Sequence, residues 1–169
     1  IVGDVQAPVA IERAGDRAIV LRAIARVPRA ERWWPHTHGA PTLYPASVSI
    51  ESGGLPITID LGRVGFRALG VDRGGDGEGF GIRINGADIF CRGVCWTPLD
   101  VARLLVDPDT YREGLDRLRD AGMNMIRVGG TMVYEAEAFH DLCDELGILL
   151  WQDLMFANMD YPGDDEVFA

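Results

Sequence analysis

Two periodicities divide this chain. Up to about residue 75, apolar residues alternate with polar ones or gather in short runs between Gly and Pro. Residues 43–52 (LYPASVSIES) set Val48 and Ile50 against Ser47, Ser49 and Glu51, the period of a half-buried strand. Residues 18–27 (AIVLRAIARV) predict a long strand. Residues 4–12 predict a weaker one, because Pro8 favours an edge position. Gly53-Gly54 predicts a hairpin turn into a strand over 55–61. Five or six short strands with such punctuation suggest an antiparallel sandwich, and the span suits an immunoglobulin-like domain.

The second half reads differently. Residues 80–91 (FGIRINGADIFC) are two alternating runs around Asn85-Gly86, a strong hairpin signal. Asp107-Pro108 supplies an N-cap with Pro at N1, and Tyr111, Leu115 and Leu118 follow as one helix face that stops at Gly122. A short β-rich run, NMIRV, comes next. Phe139, Leu142, Cys143 and Leu146 then fall on one face of a second helix, and Gly147 stands where a left-handed cap belongs. ILLW (148–151) is a continuous apolar run, as in a strand buried on both faces of a parallel sheet. Polar residues close the strands: Arg127 on one, Gln152 and Asp153 on the other. In parallel α/β architectures the chemistry sits at those carboxyl ends.

Composition narrows the picture. A net charge of −10 argues against a nucleic-acid partner, whose phosphates would repel the surface. No apolar run approaches the ~20 residues of a membrane span. All 16 basic residues are Arg, which points to a GC-rich bacterial genome. Cys91, Cys95 and Cys143 make no CxxC pair and no even disulfide set. At 169 residues the chain is short of the about 250 of a complete (β/α)8 barrel, and both ends read as cuts in a longer polypeptide. The Gly-rich stretch 72–81 (DRGGDGEGFG) reads as a linker or a solvated hairpin loop. Its acidic residues would repel phosphate and miss the EF-hand calcium spacing. His36 and His38 could start a zinc site but have no third ligand in view, so no metal is expected.

The stretch 121–162 resembles glycoside hydrolase family 2, in its β-mannosidase branch, which reads N-M-x-R-V-W-G-G-G-x-Y-E, then D-E-L-G-I-x-x-W-Q-D-F-M-F-A and Y-P. Asn124, Met125, Arg127, Val128, Gly130, Tyr134 and Glu135 match, as do 144–147, Trp151, Gln152, Asp153, Met155, Phe156, Ala157, Tyr161 and Pro162. Gly129 stands in place of the family Trp, and Thr131 and Met132 in place of two Gly. WWPHTHG with LY, and VGFR at 64–67, are similar to the sandwich that precedes the catalytic barrel. RGVCWTPLD (92–100) is similar to its K-G-x-N-W-x-P-x-D, with Cys95 for Asn.

The resemblance implies an immunoglobulin-like β-sandwich over residues 1–75 and, over 76–169, a hairpin with the first three βα units of a (β/α)8 TIM barrel: an incomplete fragment. It implies a retaining exo-glycosidase acting on terminal β-mannosides without a cofactor. Both catalytic Glu residues would lie beyond this chain. Exo-β-glucosaminidase, β-galactosidase and a non-catalytic carbohydrate-binding module are the alternatives. Arg127 is expected to support the absent nucleophile, and Trp96, Asp153 and Trp151 to contact the sugar. Without the resemblance, Arg127 would read as a salt-bridge residue and the Trp side chains as filling. Glu135, Glu137 and Glu145 are expected to be solvated helix charges. The exposed strand edge and ILLW lead to an expectation that the fragment self-associates.

Overall fold

The computed structural model describes residues 1–14, 18–52 and 54–158. Contacts divide the chain into two compact units. The first holds Ile1–Arg32 and Thr42–Phe66, and the second holds Trp33–Pro41 and the chain from Arg67 onward.

In the first unit β1 (Val9–Ala14) pairs antiparallel with β2 (Ala18–Ala23), and β3 (Tyr44–Ser52) with β4 (Leu55–Val64). The first strand starts after Pro8, which has no N–H for a ladder, and the second stops short of residue 27. Period two holds along β3: Val48 faces Ile59, Ile50 faces Ile57, and the Ser49 and Thr58 hydroxyls hydrogen-bond at 3.1 Å. Gly54 turns the hairpin with φ 78°, while Gly53 lies outside the described residues. The described strands here form two separate pairs. Leu55, Ile57, Ile59 and Leu61 of β4 are all exposed.

The second unit opens with an antiparallel sheet of β5 (Leu69–Asp72), β6 (Gly81–Ile84) and β7 (Ala87–Ile89), with β6 central. Asn85 (φ 55°) and Gly86 (φ 90°) form the expected tight turn. Because β5 pairs with β6, the stretch 72–81 is a hairpin loop and not a linker. The change of unit falls at 66/67, not at 75. Asp72 and Asp76 shape that loop by accepting from the Gly74 and Glu78 backbone N–H groups.

Then come β8 (Gly93–Trp96), α1 (Pro108–Asp120), β9 (Met125–Val128), α2 (Glu137–Leu146) and β10 (Leu149–Gln152). The three strands form a parallel sheet in the order β8-β9-β10. Asp107 caps α1 by accepting from the Thr110 N–H at 3.0 Å, and Gly147 ends α2 at φ 70°. Tyr111 and Leu115 of α1 and Phe139, Leu142, Cys143 and Leu146 of α2 pack on Ile126 and Val128 to make the core. Each fully buried Leu, Ile or Phe there contributes about 1.5–3 kcal/mol. ILLW is not an uncovered run: Ile148 and Leu149 are 2% and 6% exposed, Leu150 is half-buried, and Trp151 reaches the surface.

The WWPHTHG segment, expected in a sandwich loop, belongs to the second unit. Trp33 is buried and its Nε1–H donates to the Asp144 carbonyl at 2.7 Å. His36 donates from its backbone N–H to the Gly147 carbonyl (2.9 Å), and its Nε2 bonds the Met123 carbonyl (2.8 Å). A Cβ on Gly147 would lie 2.6 Å from the His36 nitrogen, so glycine serves both the left-handed cap and this close approach.

Candidate functional site

Strand register decides which side chains meet. Across the parallel sheet Cys95, Arg127 and Trp151 form one row, and Trp96, Val128 and Gln152 the next. Successive residues of a strand point to opposite faces, so the two rows look opposite ways. The Val128 row faces the helices and the core. The Arg127 row faces away from them, at the carboxyl ends of the strands.

On that open face Arg127 and Asp153 form a two-pronged ion pair. Arg127 Nη2 donates to Asp153 Oδ2 at 2.7 Å and Nε to Oδ1 at 3.3 Å. The Asp153 N–H donates to the Val128 carbonyl at 2.9 Å, which extends the ladder one residue and sets its side chain on Arg127's face. The hydrogen bond to Arg127 holds the Asp153 carboxyl below its ordinary range, and Asp153 in turn raises the guanidinium. Trp151 is 40% exposed and rests against Phe80, ring centres 5.4 Å apart. Arg67, Leu69, Ile82 and Met125 complete a hollow beside that pair of rings.

Trp96 is placed elsewhere. It is 6% exposed, on the helix side, tilted against Phe139 with ring centres 5.0 Å apart. Its Nε1–H donates to Glu135 Oε1 at 2.7 Å, and the Tyr111 hydroxyl donates to Oε2 of the same carboxylate. Trp96 is therefore a core residue in this chain and has no face free for a sugar. Glu135 is not a solvated helix charge either: it precedes α2 and is buried, 7% exposed, under two donors. Burial and the bond to Glu135 push the Tyr111 hydroxyl up to about 12. Glu137 is exposed in the first turn of α2, and Glu145 pairs with Arg112 at 2.8 Å.

The sequence reading missed the Trp96–Tyr111–Glu135 cluster. The available signal was chemical: a buried Trp N–H and Tyr O–H each need an acceptor, and Glu135 is the acidic residue preceding α2. Among the described residues no group of three His, Cys, Asp or Glu gathers as a metal site. Asn124, 1% exposed, fastens the other end of the sheet, donating to Phe90 O and Thr37 Oγ1 and accepting from the Arg92 N–H.

No family model matches the chain. β-Mannosidase B of Aspergillus niger is 41% identical over 132 residues, 77% of this chain and 16% of that enzyme. The crystal structure of β-D-mannosidase from Dictyoglomus thermophilum superposes with a TM-score of 0.71 at 34% identity, over 89% of this chain and 19% of that one. This chain is related to the family 2 β-mannosidases. It spans about a sixth of the curated relatives it matches. The exo-chitosanase of Amycolatopsis orientalis, at 24% identity and a TM-score of 0.71 over 89% of this chain, shares the fold. The fungal sources of these curated β-mannosidases lend no support to the bacterial origin expected from the Arg usage. Among the described residues no helix is long and apolar enough to cross a membrane.

Proposed function

We propose that this chain is a segment of a retaining exo-glycosidase that hydrolyses terminal β-mannosides. In this reading the first unit is part of an immunoglobulin-like sandwich, and the second is the hairpin and first three βα units of a (β/α)8 barrel. The observation that carries it is the Arg127–Asp153 pair beside Trp151, on the open face at the carboxyl ends of three parallel strands. Barrel enzymes keep their chemistry at that end.

The division of labour follows from the side chains. Retaining hydrolysis needs two carboxylates about 5–5.5 Å apart. Asp153 is committed to Arg127, and Glu135 is buried on the helix side, so this chain supplies positioning while the reacting pair comes from outside it. Arg127 spends Nε and Nη2 on Asp153 and keeps further donors of its five to orient a nucleophilic carboxylate. Trp151 offers an apolar ring to a pyranose, and Asp153 accepts from sugar hydroxyls. No cofactor enters these steps. Trp96 supports the site from beneath and is not assigned to the sugar.

The test is a panel of nitrophenyl glycosides against the full-length gene product. Turnover of the β-mannoside above the β-glucosaminide and β-galactoside supports the proposal. Binding of mannosides without turnover of any glycoside would replace it with a carbohydrate-binding role.

A further inference from the structure

The loop between β9 and α2 is held at both ends. Near its start, a Cβ on Gly130 would lie 2.8 Å from the Leu154 carbonyl oxygen, 3.2 Å from the Ala157 Cβ and 3.7 Å from the Asp153 Cβ. The loop backbone is thus pressed against the segment that carries Asp153. Besides the Arg127 guanidinium, the Gly130 backbone N–H helps hold the Asp153 carboxyl below its ordinary range. The Met132 N–H closes a turn onto the Gly129 carbonyl at 2.9 Å, and Met132 packs on the core.

At its far end the loop enters α2 through Ala136, a cap residue that makes no side-chain hydrogen bond. Its neighbour Glu135 fixes that entry. One oxygen accepts from Trp96 Nε1 at the end of β8, and the other accepts from the Tyr111 hydroxyl on α1. Burial alone gives no preference for this arrangement, because apolar groups of the same shape can replace a buried hydrogen-bonded set at almost no cost. What the carboxylate adds is direction: bonds from two different elements set both the place and the angle of the loop's end. Residues 131–134 alone separate this fastening from Gly130.

We infer that Glu135 is a positioning residue of the active site: bound to Trp96 and Tyr111, it holds the 129–136 loop so that Gly130 meets Asp153 and the Asp153–Arg127 fork keeps its direction. The inference rests on the glycosidase reading above. Glu135 touches no sugar, being buried on the helix side, and acts only through the loop.

The experiment measures kcat and KM for nitrophenyl β-mannoside with the full-length gene product, each variant assayed well below its own melting temperature. Glu135→Gln keeps the shape but turns one accepting oxygen into a donor. It should lower kcat by about tenfold or more, since a small misplacement far from the chemistry can cost up to about 10²-fold. In an Arg127→Lys background the same change should lower kcat by less than about threefold, because the fork that the loop directs is already gone. The same factor in both backgrounds, a loss confined to KM, or normal kcat with a lowered melting temperature would each overturn the inference. If Glu135→Gln fails to fold, Tyr111→Phe, which removes one oxygen, takes its place in the same comparison. Inactivity of the wild type on every glycoside refutes the glycosidase reading and the inference with it, a result distinct from an active wild type with an indifferent Glu135.

Discussion

Tyr111→Phe isolates the energetic weight of the buried carboxylate. The change removes one oxygen and leaves the ring, which sits 5.5 Å from Phe139 in an edge contact, in place. No cavity term of consequence arises. What is lost is one of the two donors to Glu135, a carboxylate 7% exposed whose other donor is Trp96 Nε1 at 2.7 Å. Hydrogen bonds to charged groups are worth about 1.5–3 kcal/mol, and an unsatisfied buried acceptor sits in the same range, so a loss of about 2 kcal/mol is expected. Urea titration of the chain by far-UV circular dichroism reads it as a lower midpoint at constant slope. In a Glu135→Gln background the same change should cost only about 0.5–1.5 kcal/mol, the value of a neutral bond. There is a pH signature as well. The Tyr111 hydroxyl titrates near 10 when unfolded and about 12 when folded. The unfolded chain therefore gives up this proton first, and the stability it contributes, whole below pH 10, is lost as pH rises towards 12. Tyr111→Phe should flatten that decline. A loss below about 0.5 kcal/mol, or equal losses with and without the Glu135 carboxylate, would refute the reasoning.

Arg127→Lys in the full-length protein should lower kcat by about 10²–10³ with little change in KM, because Lys keeps the charge but not the fork; a lowered melting temperature with normal turnover would reduce Arg127 to a salt-bridge residue. Timed alkylation read by mass spectrometry should modify exposed Cys95 first and Cys143 only on unfolding, since burial pushes the Cys143 thiol up to about 12; early labelling of Cys143 would contradict the packing of α2. Gly147→Ala should cost about 1–3 kcal/mol, because φ is 70° and the new Cβ meets the His36 nitrogen; an unchanged melting curve would count against that contact. Exposed β4 residues Leu55, Ile57, Ile59 and Leu61 should drive concentration-dependent association of the 169-residue chain, and a clean monomer at high concentration in sedimentation would exclude it.

Local chemistry was legible and long-range placement was not. Asp107-Pro108, Asn85-Gly86 and Gly147 announced their elements because caps and tight turns depend on neighbouring residues alone. The face of α2 was equally plain, since all four residues at helical spacing are buried. Trp96 was misplaced because the end of a strand says nothing about which face a ring takes. That follows from register, and Trp96 lies opposite Val128 rather than Arg127. Glu135 was misread because charge in a polar stretch looks solvated until its donors, 24 and 39 residues away, are located. For Arg127 the salt bridge is there, with Asp153, and it lies on the open face of the sheet.

Residues 33–41 interrupt the first unit's sequence to serve the second. The second unit is therefore not a contiguous module. A gene piece beginning at Arg67 omits Trp33, whose indole bonds to Asp144, 111 residues away, and whose carbonyl receives the Asn85 amide, 52 away. It would leave the Asn85 side-chain N–H and the Gly147 carbonyl without the partners they have in Trp33 and His36. Closing a loop of that length costs entropy that grows only as its logarithm, so the stitch is affordable at equilibrium. Its sequence separation predicts that it forms late in folding, after α1, α2 and the three strands have assembled from nearer neighbours. Recombination or truncation at the apparent border would yield a unit that collapses but lacks its final fastening.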